Sequence, residues 1–366
     1  GSYLRDGKAA MSSSKDISEK LFSVFGRVNY SYNDKYMASA SIRHEGSSKF
    51  AADNRWANFW SVTAGWRISN EEFMKEIDWI QDLKVRFGYG VTGNNDFDAS
   101  YMANLLGSDT NWMLPNGEWD LGVDYSFFDG RLYGKFDYYR RKIDNLLYSV
   151  KVPQPPYTIG SQYQNIGSME SKGWEFEVGG DIIRTKDFTW TSSINMSHNT
   201  GKILTLWGNN TYYNGNGFVA PGTPGDAARM EEGSTIGSFY LWKFAGFDDD
   251  GNFLLYNKDG EVIPASDKSE NDKQYMGNYT PKLILAWNNT LSYKNFDLGI
   301  NMRSWIDFDV YNTINMYYGI QGRGNTNVLK DAYGKFSHIK GEKQICDYYL
   351  EDGTFLKIDA ITLGYT

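Results

Sequence analysis

Apolar and polar residues alternate along most of this chain. Between 119 and 127, Trp119, Leu121, Val123, Tyr125 and Phe127 share one face, and Asp120, Gly122, Asp124 and Ser126 share the other, with Phe128 outside the alternation. After Asp129-Gly130, Leu132, Gly134, Phe136 and Tyr138 stand against Arg131, Lys135, Asp137 and Arg141. Successive side chains of a strand point to opposite faces, so a period of two predicts a hairpin with one apolar and one polar face.

Extended along the chain, the pattern predicts about eleven strands, at 21–32, 35–45, 56–68, 82–92, 119–127, 131–141, 173–183, 187–198, 282–292, 296–306 and 355–366, with a further short one at 237–247. Asn33-Asp34, Arg184-Thr185-Lys186 and Lys294-Asn295 mark tight turns, where Asn and Asp tolerate the left-handed conformation. Segment 70–81 differs: Ser69 or Asn70 can cap it, acids fill its first turn, and Phe73, Ile77 and Ile80 recur at helical spacing, which predicts one or two turns of helix.

Tight turns at one end of the strands alternate with long loops at the other, chiefly 93–117, 150–172, 200–281 and 308–354. Strands of about ten residues, short turns on one side and long loops on the other are the signature of an outer-membrane barrel. The predicted fold class is therefore all-β, an antiparallel transmembrane β-barrel with long extracellular loops. Tyr30, Tyr32, Tyr36, Tyr125, Phe127, Trp56 and Tyr293 lie near strand ends, where interfacial aromatic girdles form. A soluble barrel or sandwich also alternates, with its apolar face turned inward. Charges of both signs on the polar face and several loops longer than about 15 residues at one end favour a wet lumen and a lipid-facing exterior.

Composition refines this picture. Aromatics make up 16% of 366 residues, which suits β structure or an aromatic-lined surface. The formal net charge of -8 and the lack of a basic stripe exclude nucleic acid as the expected partner. The mean hydropathy is negative, but such an average is blind to barrels, whose polar lumen cancels their apolar exterior. Cys346 is the one cysteine, so no intrachain disulfide forms.

Several stretches carry a resemblance beyond the pattern. FGRVNYSYNDKYMASASIRHEGSSKF (25–50), WANFWSVTAGWRISNEEFMKE (56–76), LKVRFGYGVTGNN (83–95), NIGSMESKGWEFEV (165–178), GNYTPKLILAWNNTLSYKNFDLGI (277–300) and EDGTFLKIDAITLGYT (351–366) resemble, in order, the barrel blocks of SusC/RagA-type TonB-dependent transporters of Bacteroidetes. The resemblance implies a 22-stranded barrel in the cell outer membrane, with an N-terminal plug, coupling to the TonB complex and a SusD-like surface lipoprotein as a hinged lid. It implies energised import of oligosaccharides or peptides, with no cofactor and no catalysis. Barrels of that size enclose a plugged lumen. The expectation for residues 1–366 is a partial barrel lacking plug and TonB box, whose edge strands meet the remaining barrel and plug segment.

Candidate chemistry is sparse. His44, His198 and His338 lie in no metal-spaced cluster and are expected to be structural. Gly319, Gly322 and Gly324 lack the strand-turn-helix context of a dinucleotide fingerprint. Glu175 and Glu177 share a strand face; they read as lumen charges rather than a glycosidase pair. Asp248-Asp249-Asp250-Gly251-Asn252 resembles a calcium loop without its bidentate Glu, so an Asx-rich turn competes with a divalent site on Asp248 and Asp250. Loop aromatics Trp112, Trp207, Tyr212, Tyr213, Tyr317 and Tyr318 are the candidates for substrate contact, against packing of loop on loop or on the lid. The competing functions are a carbohydrate-binding or adhesin β-domain and a secreted glycoside hydrolase.

Overall fold

The computed structural model describes residues 2–5, 8–11, 19–50, 55–93, 114–151, 161–206, 212–214, 225–321 and 327–366. Its main body is one 11-stranded antiparallel sheet in which each strand pairs with its neighbours in sequence. The strands are β1 (Leu21–Tyr32), β2 (Tyr36–Ser47), β3 (Trp56–Arg67), β4 (Ile80–Gly90), β5 (Leu114–Phe127) and β6 (Leu132–Asp144), then β7 (Gly167–Arg184), β8 (Phe188–Leu206), β9 (Leu283–Tyr293), β10 (Phe296–Ile306) and β11 (Phe355–Tyr365). β1 and β11 are the two edges.

Register turns the alternation of single strands into continuous rows. On one face Tyr36, Trp66, Val85, Val123, Phe136, Phe176, Met196 and Leu285 lie opposite one another across eight strands. On the other face Gly65, Arg86, Gly122, Asp137, Glu175 and Ser197 form a polar row across six. A one-residue slip would exchange the two faces, so the burial pattern of the whole sheet depends on this register.

Several glycines are sites of close approach. Tyr125 folds over Gly134, its directly opposed partner, and Tyr139 and Tyr133 cover Gly173 and Gly179 in the same way. A Cβ at Gly134 would meet the Glu177 carbonyl oxygen and lie 2.5 Å from the Tyr125 hydroxyl.

Connections 33–35, 68–79, 128–131, 185–187 and 294–295 lie at one end, and 48–55, 91–113, 145–166, 207–282 and 307–354 at the other. The tight turns use left-handed backbone at Asn33 (φ 50), Asp34 (φ 53), Phe128 (φ 57), Asp129 (φ 55) and Lys294 (φ 53).

The differences from the sequence expectation have physical causes. β7 and β8 run to 18 and 19 residues, longer than a bilayer crossing needs. β7 continues its pairing with β6 through residues 169–172 and the end of β8 projects past β9, so residues 167–172 and 200–206 leave the expected loops. The projection is capped by a small core of Ile166, Ile203 and Leu206, against which Met169, Met230 and Ile236 pack. Inside the expected loop 150–172, Ser161–Asn165 pairs with Leu147–Lys151. Segment 70–81 forms two short 3-10 turns, Ile68–Asn70 and Glu72–Met74, without a side-chain cap, and from Ile80 onward it is already β4. The strand expected at 237–247 is two strands, Ser238–Leu241 and Lys243–Phe247, interrupted at Trp242 and outside the wall.

Candidate functional site

Two features could act on a solute: a charged strip on the polar face and a packed domain built from the two longest insertions. In the strip, Arg86 of β4 reaches across β5. Its Nε and Nη2 donate to the Asp124 carboxylate at 2.8 and 2.9 Å, and Nη2 also donates to Asp137 Oδ1 of β6 at 2.7 Å. Gly122 makes this possible, because a Cβ there would meet Asp137 Oδ1 and lie 2.7 Å from Arg86 Nη2. Toward the long loops Arg141 pairs with Glu118, and toward the tight turns Lys135 lies 3.5 Å from Glu177; Arg140 pairs with Glu170 on the opposite face. Arg86, Glu118, Asp120, Asp137, Tyr139, Arg141, Ser171, Glu175 and Asn199 line an open depression of about 560 Å³. Carboxylates outnumber guanidinium groups in it. Glu175 and Glu177, the pair considered for glycoside hydrolysis, are two of the charges on this face, and Glu177 is engaged by Lys135.

The insertions 225–281 and 308–354 fold as one unit. Leu241, Phe253, Leu255, Met316, Ile339, Ile345 and Cys346 are almost completely buried in a shared core. Burial of that much apolar surface is the main force holding the insertions together. Backbone and side-chain contacts also join them. Asp309 Oδ2 accepts the Asn278 N–H at 2.8 Å, and Asp347 Oδ1 accepts the Phe244 N–H at 2.6 Å. Trp242 forms a bridge with Cys346, and its ring lies 4.2 Å from the buried Lys273 ammonium, which donates to the Asp226 carbonyl. Burial pushes the Cys346 thiol up to about 12.

The expected site residues separate into three groups. Trp112 and Trp207 lie outside the described residues, as does the side chain of Tyr213, whose backbone pairs Tyr212–Asn214 with Arg229–Glu231. Tyr317 is 8% exposed within the shared core, so its ring serves that packing, and the half-buried Tyr318 packs on it. Tyr212 is exposed, and the Arg229 guanidinium sits 3.8 Å from its ring and 4.1 Å from that of Tyr240, to whose hydroxyl Arg229 donates at 2.7 Å. Tyr275 adjoins Tyr240 and donates to Glu231 Oε2 at 3.1 Å; burial and this hydrogen bond push its phenol up to about 12. Arg229, Tyr240 and Tyr275 were not anticipated. No motif marks them, and they meet only because the insertion folds back on itself.

At the calcium-like loop, Asp248 Oδ1 accepts the N–H groups of Asp250 and Asn252 at 3.0 and 2.8 Å, and Oδ2 accepts Asn252 Nδ2 at 3.0 Å. These hydrogen bonds hold the Asp248 carboxyl below its usual range. Both oxygens are thus used inside an Asx turn. No group of three or more metal-ligating side chains occurs among the described residues. His44 stacks on Trp56 at 4.8 Å, His198 Nδ1 lies 2.6 Å from the Lys282 carbonyl oxygen, and His338 packs edge-on to Phe247.

The wall and its unequal ends place the chain among known proteins. Residues 3–312 match the family model described as TonB dependent receptor-like, beta-barrel. The chain belongs to the TonB-dependent receptor β-barrel family. TonB-dependent receptor P3 of Formosa agariphila is 31% identical over 408 residues, covering 99% of this chain and 40% of that protein. TonB-dependent receptor SusC of Bacteroides thetaiotaomicron is 30% identical over 388 residues, covering 94% and 38%. The chain thus spans about two fifths of the length of the curated relatives it matches. Among solved structures, the RagAB peptide transporter superposes with a TM-score of 0.78 at 24% identity, over 95% of this chain and 41% of that one. This barrel is a SusC/RagA-type outer-membrane wall, and the described strands form part of it. Its apolar rows accordingly face lipid and its charged strip faces the lumen. No described helix is long and apolar enough to cross a membrane; the strands do so.

Proposed function

We propose that this chain is the wall and surface-loop portion of a SusC-like importer that takes up oligosaccharides or peptides with a SusD-like lipoprotein as its lid. The observation that carries the reading is the matched barrel wall with a packed domain at its long-loop end. In this account the wall joins the remaining strands of a 22-stranded barrel around a plug, and the TonB complex displaces the plug through the N-terminal part. Substrate is held first between lid and loops, then by the hydrated charges of the lumen strip. Arg86, Arg141 and Lys135 pair with carboxylates beside them, and the surplus carboxylates leave the strip net negative, with several acceptors for the hydroxyl and N–H groups of a solute. Tyr212, beside Arg229, presents an aromatic face suited to a sugar ring or a peptide side chain. Trp112, Trp207, Tyr213 and Tyr318 remain the other loop aromatics proposed for substrate or lid contact. The superposed RagAB structure is a peptide transporter, which is in keeping with the peptide class.

The test is to isolate the full-length transporter from outer membranes in detergent and identify by mass spectrometry what accompanies it. The expected result is a stoichiometric surface lipoprotein with an oligosaccharide or peptide, and uptake of that ligand by cells that stops when the proton gradient is collapsed. Recovery without a lipoprotein, together with uptake indifferent to the gradient, would overturn the proposal.

A further inference from the structure

The connection between β3 and β4 lies at the tight-turn end, yet it does not hang below the barrel. Its first part is fixed to the apolar face. Glu71 accepts hydrogen bonds from the Tyr36 hydroxyl at 2.6 Å, Trp66 Nε1 at 3.0 Å and Lys35 Nζ at 3.1 Å. Tyr36 and Trp66 are cross-strand partners in the lipid-facing row. Asn70 Nδ2 adds a bond to the Asp34 carbonyl in the adjoining turn. The last part of the connection is fixed to the same side of the wall. The Trp79 ring lies 5.4 Å from Phe127, which ends the lipid-facing set of β5, and stacks on Phe128 at 5.6 Å and 21°. The Trp79 carbonyl accepts the Phe128 N–H at 2.8 Å.

Phe128 itself is informative. It occupies the left-handed region with φ 57, where a bulky side chain is a genuine outlier and Gly or Asn is the ordinary choice. The turn keeps a strained aromatic that is 50% exposed and covers no protein core. Phe73 is 65% exposed and Trp79 50% exposed on the same connection. Beside these rings Glu72 pairs with Lys75 at 2.7 Å, and Glu76 and Asp78 are exposed. Rings continuous with a lipid-facing wall, interleaved with charges at its rim, match the environment of the headgroup region, where amphipathic aromatics are favoured.

We infer that residues 68–79, with the Phe128 turn, form a membrane-surface segment that lies along the outside of the barrel and inserts Phe73, Trp79 and Phe128 into the headgroup layer of the periplasmic leaflet. Its partner is phospholipid. The Glu71 hydrogen bonds hold one end against the wall, and Trp79 on Phe127 and Phe128 holds the other. The segment thereby fixes how deep β2 to β6 sit in the bilayer.

The experiment uses the full-length transporter in nanodiscs of phosphatidylethanolamine and phosphatidylglycerol. An environment-sensitive fluorophore is attached at F73C or F128C, with the unsubstituted protein as control for background labelling; Cys346 is buried. The expected result is blue-shifted emission, at least halved by lipids carrying a nitroxide near the headgroup and unaffected by aqueous iodide. Quenching by iodide but not by lipid would place the segment in the periplasm and overturn the inference. Protection from both quenchers would mean a protein covers it, and would overturn it equally. Because a substitution could disturb the turn, hydroxyl-radical footprinting of the unsubstituted protein gives an independent readout. Phe73 and Trp79 should oxidise as slowly as the wall residue Leu121, and oxidation at the rate of the surface residue Tyr333 would refute the assignment.

Discussion

Truncating Leu255 to Ala probes whether the two long insertions are one cooperative unit. Leu255 has no exposed surface and sits in the core that joins strands from 243–264 to residues 311–349. Removing a fully buried Leu side chain costs about 2–5 kcal/mol, because both transfer energy and packing around the cavity are lost. At about 1.4 kcal/mol per factor of ten, amide protection governed by opening of this unit should fall roughly 30-fold or more. Hydrogen exchange with mass spectrometry on the full-length transporter reads this directly. The loss is expected in both insertions, at Gln274–Asn278 and at the paired strands Asp309–Tyr311 and Leu350–Asp352, while β5 and β6 keep their protection. Loss confined to 243–264 would refute the reasoning, since the insertions would then open separately.

Three further outcomes follow from the same structure. Gly134→Ala should destabilise the barrel by about 1–3 kcal/mol, because the new Cβ meets the Glu177 carbonyl and displaces Tyr125; an unchanged midpoint in heat-modified gel mobility would count against the close approach. A double-mutant cycle of Arg86→Met with Asp137→Asn should show a coupling of about 1 kcal/mol, as expected for a half-exposed pair within a network, and additive effects would show that the lumen strip is not coupled. With its pKa pushed up to about 12 by burial, the Cys346 thiol is protonated at pH 8 and should resist iodoacetamide in the folded protein, becoming reactive only on unfolding; rapid alkylation of the native form would contradict its burial.

The wall was legible in the sequence because a period of two is a local property, and eleven strands with their apolar sets could be placed, with β5, β7 and β8 running past their expected ends toward the long loops. Phe128, the residue that broke the alternation, proved to be the left-handed turn residue. What could not be read depends on contacts between distant segments. Arg86, Asp124 and Asp137 each stood on a polar face, but only register brings one guanidinium to both carboxylates. The burial of Tyr317 and the stacking of Arg229 between Tyr212 and Tyr240 arise from insertions folding on one another, which no periodicity records. The helical spacing of Phe73 and Ile77 was real but short, and hydrogen bonds to Glu71 together with the early start of β4 left room only for 3-10 turns.

The claim on which everything else rests is that alternate residues of one strand face lipid and lumen. The direct measurement is a cysteine scan from Asp120 to Ser126 in the full-length transporter in its native outer membrane, with a fluorophore at each position and nitroxide-bearing lipids as quenchers. The account predicts strong quenching at Leu121, Val123 and Tyr125 and none at Asp120, Gly122, Asp124 and Ser126. Equal quenching at all positions, or strong quenching at the acidic positions alone, would contradict it.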